Sequence, residues 1–212
     1  INAVRAHSCE RIEIVVGCTT HEMLSFLASP GLWTLDEHAT RARLRDVLGT
    51  NADGILDSYR SIHPSESPSS RYIAILSDWA MRLPHIRLAE AATAAGGTAY
   101  MYLFAWGVPG PDGVVRSGHG ADMPFCFDNV ERAPVTDGPH ARQLTNAMSG
   151  ALVALARTGD PNHDGLPAWP GYDAEKRATM RLDVQPILQH DPLAEDRRAW
   201  DTIDERELGL RA

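Results

Sequence analysis

Lysine is almost missing from this 212-residue chain: Lys176 stands alone, and nearly all of its 20 basic side chains are arginine. The 28 acidic side chains bring the net charge to −8, and no cluster of Lys or Arg occurs along the sequence. A nucleic-acid surface needs such a cluster to neutralise phosphates, so no nucleic-acid partner is expected. Cysteine is scarce too. Cys9, Cys18 and Cys126 are odd in number and show no C-x-x-C spacing, which argues against a disulfide framework and makes a cytoplasmic location the expectation. The longest apolar stretches are broken by Gly, Arg or Thr and fall short of a bilayer span. Metal-ligand spacing is absent as well. His21-Glu22 is followed by serine at position 25 where H-E-x-x-H needs histidine, and His163-Asp164 has no third ligand in spacing. Neither a metal nor any other cofactor is expected. There is no internal repeat, no low-complexity segment and no G-x-S-x-G in which a serine could serve as a strained, exposed nucleophile.

What is present reads as an α/β chain with enough apolar content, 43%, to bury a core. Arg11 to Val16 is a β-rich run ending at Gly17, fit for an interior parallel strand. Ala99 to Phe104 is a second, aromatic strand bounded by Gly96-Gly97 and Gly107. Thr179 to Leu182 is a short third. Between the first two lies a helical insert, about residues 33–95. Thr34 with Glu37 spells a capping box for a helix through about Leu48, closed by Gly49. A second helix is expected over Asn51 to Tyr59, a polar break over Pro64 to Pro68, and helix again from Ser70 to Ala94 with a kink or restart at Pro84. Pro139 to Thr158 predicts a long helix whose stripe of Leu144, Met148, Leu152 and Leu155 faces the core. Gly159-Asp160-Pro161-Asn162 reads as a helix stop and an Asx turn. Trp169 and Tyr172 are expected to pack the sheet edge, and the charged stretch Asp191 to Ala212 to depend on docking for its order.

Chemistry concentrates in Ser117-Gly118-His119-Gly120-Ala121-Asp122. Flanking glycines let the backbone turn tightly and come close to a ligand, and imidazole is the side chain suited to moving protons near neutral pH. On its own, such a histidine also fits a simple turn. Glu22 on its own also fits a solvated carboxylate in the first turn of a helix, where the macrodipole favours it.

Four segments in order change the weight of both. Gly17-Cys18-Thr19-Thr20-His21-Glu22, then His119-Gly120-Ala121-Asp122, then Gly159-Asp160-Pro161-Asn162, then Trp169-Pro170-Gly171-Tyr172 resemble the C-terminal part of the type-B carboxylesterases. That family includes the bacterial para-nitrobenzyl esterases and the cholinesterases. The likeness runs from about Ile12 to about Asp183. It implies an α/β-hydrolase fold for residues 1–212, as the C-terminal part of one catalytic domain whose sheet carries a helical insert walling the active site. It implies a serine carboxylic-ester hydrolase working through an acyl-enzyme, with Glu22 as the acid and His119 as the histidine of a Ser-Glu-His triad, 97 residues apart. It implies that Asp122, where the family often has Glu, supports the histidine loop. Met23, Phe26, Trp79, Met123 and Phe125 are candidates to line the substrate cavity, because they flank the acid, the insert or the histidine; each also fits a core position.

The missing nucleophile motif and oxyanion segment lie upstream in the family. The expected partners are therefore a small-molecule ester and the serine-bearing N-terminal part of the same enzyme. Two alternatives share these residues: a non-catalytic cholinesterase-like binding module, and a carbamate or amide hydrolase on the same scaffold.

Overall fold

Strand-forming residues open the described stretch that begins at residue 12, and they place everything that follows. The computed structural model describes Val4 and residues 12–133 and 139–203. Strand β1 is Glu13–Thr19, followed by a short helix α1, Leu24–Leu27. Helices α2 (Glu37–Leu48), α3 (Ala52–Ile62), α4 (Pro68–Ser77) and α5 (Leu83–Ala94) form the insert. Strand β2 (Thr98–Phe104) leads to a small hairpin, β3 (Val108–Pro109) and β4 (Val115–Arg116), then to α6, Met123–Cys126. The long helix α7, Pro139–Thr158, precedes β5 (Ala178–Leu182), β6 (Ile187–His190) and α8 (Ala194–Arg198). The main sheet runs β1-β2-β5-β6, parallel except for the last pair. The central strand β2 is almost wholly buried, as expected of a parallel strand covered on both faces.

The expected elements are present with shifted limits. The first strand runs on to Thr19 instead of stopping at Gly17, because Gly17 lies opposite Tyr102 and pairing continues on either side of it; Arg11 lies outside the described residues. The capping box of Thr34 and Glu37 is not formed. Asp36 is the cap: its Oδ1 accepts the Ala39 N–H at 2.7 Å, and its extended backbone (φ −92°, ψ 176°) suits that position. Glu37 is the first helical residue, and the Thr34 hydroxyl turns back to the Gly31 carbonyl at 3.4 Å. Pro68 belongs to the first turn of α4, where a missing N–H costs nothing, and Ser67 caps it through the Ser70 N–H at 3.1 Å.

Pro84 acts as expected, with a particular geometry. Residues Asp78–Arg82, just before it, form a π-turn between α4 and α5. A wider turn accommodates the proline, which has no N–H to give and would clash with the carbonyl four residues back. The π-turn buries Asp78 and Arg82, which pair through Nε–Oδ1 at 2.6 Å and Nη2–Oδ2 at 2.8 Å. The Tyr59 hydroxyl donates to the same carboxylate, and the Trp200 indole donates to Tyr59 Oη at 2.9 Å. Trp200 is fully buried in the insert's core, so the segment after β6 docks there.

Helix α7 spans the predicted residues; Leu144 and Met148 are buried and Leu155 packs against the same cluster. Gly159 (φ 79°) ends it, and Asp160 Oδ1 accepts the Asn162 N–H at 2.9 Å in the Asx turn. Trp169 meets Tyr100 edge to face at 6.0 Å, and the Tyr172 N–H donates to the Ala99 carbonyl at 2.7 Å.

Candidate active site

The acid's loop leaves the carboxyl end of parallel strand β1, and the histidine's loop follows the antiparallel hairpin β3–β4 that comes after the carboxyl end of parallel strand β2, the end where open α/β sheets place their ligands. After β1, Thr20 N–H still pairs with the Phe104 carbonyl at 2.9 Å, and His21 N–H donates to the Ser117 carbonyl at 2.9 Å. These two bonds bring the loop after β1 against the loop after β4. Glu22 follows, only 5% exposed. One of its carboxylate oxygens, Oε1, accepts the Thr19 N–H at 2.6 Å. The other, Oε2, lies 2.6 Å from His119 Nδ1. A carboxylate aimed by a backbone donor holds its second oxygen in a fixed direction, so the imidazole is oriented through Nδ1. The remaining ring nitrogen, Nε2, is the one left for chemistry, on a side chain that is 49% exposed.

The glycines around His119 have separate reasons. Gly120 adopts φ 77°, which turns the chain after the histidine. A Cβ on Gly118 would come within 2.7 Å of Ser25 Oγ, so a larger residue there would require that hydroxyl to swing aside. On the acid side, Ser77 Oγ accepts the Met23 N–H at 3.0 Å while its own O–H donates to the Ile73 carbonyl at 2.7 Å. The insert thereby holds the residue beside Glu22.

The five pocket candidates divide. Phe26 and Met123 are exposed, and the Phe26 ring lies 5.0 Å from the His119 ring, tilted by 46°. Met23 and Trp79 are partly buried and pack on the insert's core. Phe125 is fully buried and is corrected to a core residue: α6 turns it inward onto Phe104 at 5.2 Å and Trp106 at 5.5 Å. Asp122 accepts the Tyr102 hydroxyl at 2.8 Å. Ser77 and Tyr102 carried no mark in the sequence analysis. For Tyr102 a signal existed, since a glycine inside a strand, here Gly17, often marks the close approach of another group.

Burial sets the state of the nearby titratable groups. It raises the Cys18 thiol well out of the range where a thiolate forms and pushes Cys126 up to about 12, so neither is a nucleophile at neutral pH. Burial, aided by the Arg116 charge, lowers His21 to about 4 and keeps it neutral. His85 is lowered by burial against the opposing pull of Glu22 and Asp122, and its buried Nδ1 has no hydrogen-bond partner. Among the described residues, no group of three or more His, Cys, Asp or Glu is placed to hold a metal ion, and no helix is long and apolar enough to cross a membrane. A cleft of about 580 Å³ is lined in part by His21, His63, Trp106 and Asp196; Glu22, His119 and the five pocket candidates are not among the residues that line it.

A family model described as the carboxylesterase family matches residues 2–200. The chain is 29% identical over 177 residues to a phenmedipham hydrolase of Pseudarthrobacter oxydans, covering 80% of this chain and 35% of that protein. It is 25% identical over 202 residues to a para-nitrobenzyl esterase of Bacillus subtilis, covering 92% and 39%. Among solved structures, a Geobacillus stearothermophilus carboxylesterase superposes with a TM-score of 0.82 at 28% identity, over 94% of this chain and 42% of that one. The chain thus spans little more than a third of the length of the two relatives. The sheet, with helices on its faces, has the α/β-hydrolase fold of its structural neighbours.

Proposed function

The chain belongs to the carboxylesterase family, and on that premise we propose that it supplies the acid, Glu22, and the histidine, His119, of a Ser-Glu-His triad in a carboxylic-ester hydrolase. The observation that carries this reading is the 2.6 Å contact between buried Glu22 Oε2 and His119 Nδ1, on a half-exposed imidazole. The nucleophile is a serine outside these 212 residues, since no G-x-S-x-G occurs among them. Of the relatives, one is named a hydrolase and another an esterase.

In the proposed cycle His119 Nε2 takes the proton from that serine as it attacks the ester carbonyl. His119 then returns the proton to the departing alcohol, and afterwards activates water to clear the acyl-enzyme. Glu22 holds the Nδ1–H tautomer and stabilises the imidazolium formed in each half-reaction. Phe26 forms apolar wall beside the imidazole, where the organic groups of a small ester would lie, and Met123 adds an exposed apolar side chain four residues after His119.

The test is intact-mass analysis of the purified protein before and after a fluorophosphonate probe, with everything that co-purifies included. The expected result is one probe mass on a single serine of a longer or accompanying polypeptide, lost in His119→Ala. A folded protein that takes no probe and hydrolyses no ester would overturn the proposal.

A further inference from the structure

We propose that Tyr102 is a positioning residue for His119: its hydroxyl, carried over Gly17, braces Asp122 and so sets the histidine loop against Glu22. Two independent features carry this. The first is the hydrogen bond from Tyr102 Oη to Asp122 Oδ2 at 2.8 Å. Asp122 stands at the N-cap of α6, where an Asp side chain ordinarily accepts an N–H of its own helix. Here its backbone is helical (φ −78°, ψ −24°), and its side chain makes no cap bond. It reaches across to the sheet instead. Its backbone carbonyl still accepts the Phe125 and Cys126 N–H groups at 3.0 Å each, so it joins the first turn of α6 to the loop carrying His119, three residues earlier.

The second feature is the space over β1. Gly17 pairs with Tyr102 across the two strands. A Cβ on Gly17 would stand 2.4 Å from Tyr102 Cδ1 and 2.5 Å from Cγ. Only glycine at that position lets the phenol ring lie where it does. Gly17 opens the segment that ends in Glu22, and Asp122 closes the segment that begins with His119. The ring therefore ties the acid's strand to the histidine's loop by a route separate from the Glu22–His119 contact. Burial and the Asp122 charge keep the phenol protonated, so Tyr102 is the donor throughout the neutral range.

A hydroxyl on strand β2 holding a loop carboxylate restricts His119 without touching substrate. Losing it leaves the loop free to shift by a fraction of an ångström, which is enough to weaken a short imidazole–carboxylate bond.

The experiment compares wild type, Tyr102→Phe, Asp122→Ala and Asp122→Asn in the protein as produced, with histidine labelled in ring 15N. The readouts are the downfield Nδ1 proton of His119 and ester turnover. Tyr102→Phe and Asp122→Ala are expected to broaden or shift that proton and to lower kcat about tenfold with KM little changed. Asp122→Asn keeps a carbonyl acceptor for the Tyr102 hydroxyl and is expected to restore the resonance and most of kcat. An unchanged resonance and kcat in folded Tyr102→Phe would overturn the brace, as would Asp122→Asn behaving like Asp122→Ala. The kinetic half rests on the ester-hydrolase reading above, but the resonance does not. A wild-type protein without turnover whose Nδ1 proton still depends on Tyr102 would sink the hydrolase and support the brace.

Discussion

Ser77 Oγ accepts the backbone N–H of Met23 at 3.0 Å, across 54 residues of sequence. The insert is therefore attached to the loop of Glu22 by a hydrogen bond at the last residue of α4, immediately before the π-turn. Ser77 is 2% exposed, so its hydroxyl has no ready access to water when the bond is broken, while Met23 is partly buried.

Ser77→Ala should accordingly cost about 1–3 kcal/mol, because it leaves the Met23 N–H unsatisfied in a part-buried site. Urea denaturation of the two proteins checks the loss. Turnover should fall in the same variant through displacement of Glu22, whereas Ser61→Ala, on the exposed face of α3, should change neither. Equal midpoints for Ser77→Ala and wild type would remove the insert from the site's support.

Glu22→Gln should fold normally and lose roughly 10³–10⁴ in kcat. A glutamine can still accept the Thr19 N–H, but it then offers an N–H to His119 Nδ1. The imidazole is driven to the wrong tautomer, with its proton on the nitrogen meant to act as base. Steady-state kinetics on a nitrophenyl ester decide it, and a variant within tenfold of wild type would deny Glu22 the role of acid.

Acid should destabilise the fold in part through His21. Its folded value of about 4 lies below the ordinary value of 6.5, owing first to burial and then to Arg116, with Asp78 opposing. A depressed value means that the unfolded chain binds the proton more readily between these limits. The stability from neutral His21 is therefore complete above about pH 6.5 and is lost as pH falls towards 4. His21→Gln should flatten the denaturation midpoint across that window. A midpoint that falls as steeply in the variant as in wild type would assign the loss to other groups.

Asp36→Ala should cost about 0.5–2 kcal/mol and Thr34→Ala close to nothing, because the first removes the cap of α2 and the second only a long hydroxyl contact. Thermal melting of both variants separates the two residues. The reverse order would restore Thr34 as the cap.

The Thr34 case shows where sequence reasoning met its limit. The spacing of Thr34 and Glu37 satisfied a capping pattern, yet Asp36 was equally able to cap, and a pattern has no means of choosing between adjacent donors and acceptors. Phe125 fails for a related reason. Its place six residues after His119 suggested the cavity, but the turn of α6 rotates its ring onto Phe104, while Met123, two residues earlier, faces outward. Proximity along a chain does not carry the rotation of a short helix.

The sequence by itself determined the local pieces: the runs that became β1, β2 and β5, the limits of α7, the breaks at Pro84 and Gly159, and the order of the acid before the histidine. Each depends on periodicity or on a backbone preference expressed within a few residues. Only the tertiary structure decided that Glu22 meets His119 across 97 residues, that Ser77 reaches Met23, and that Tyr102 crosses Gly17 to hold Asp122. Those contacts follow from the parallel register of β1 on β2, in which Gly17 falls opposite Tyr102 and Thr19 opposite Phe104. A slip of one residue would turn every side chain of β1 to the other face. That register is chosen by packing of the whole sheet and its helices.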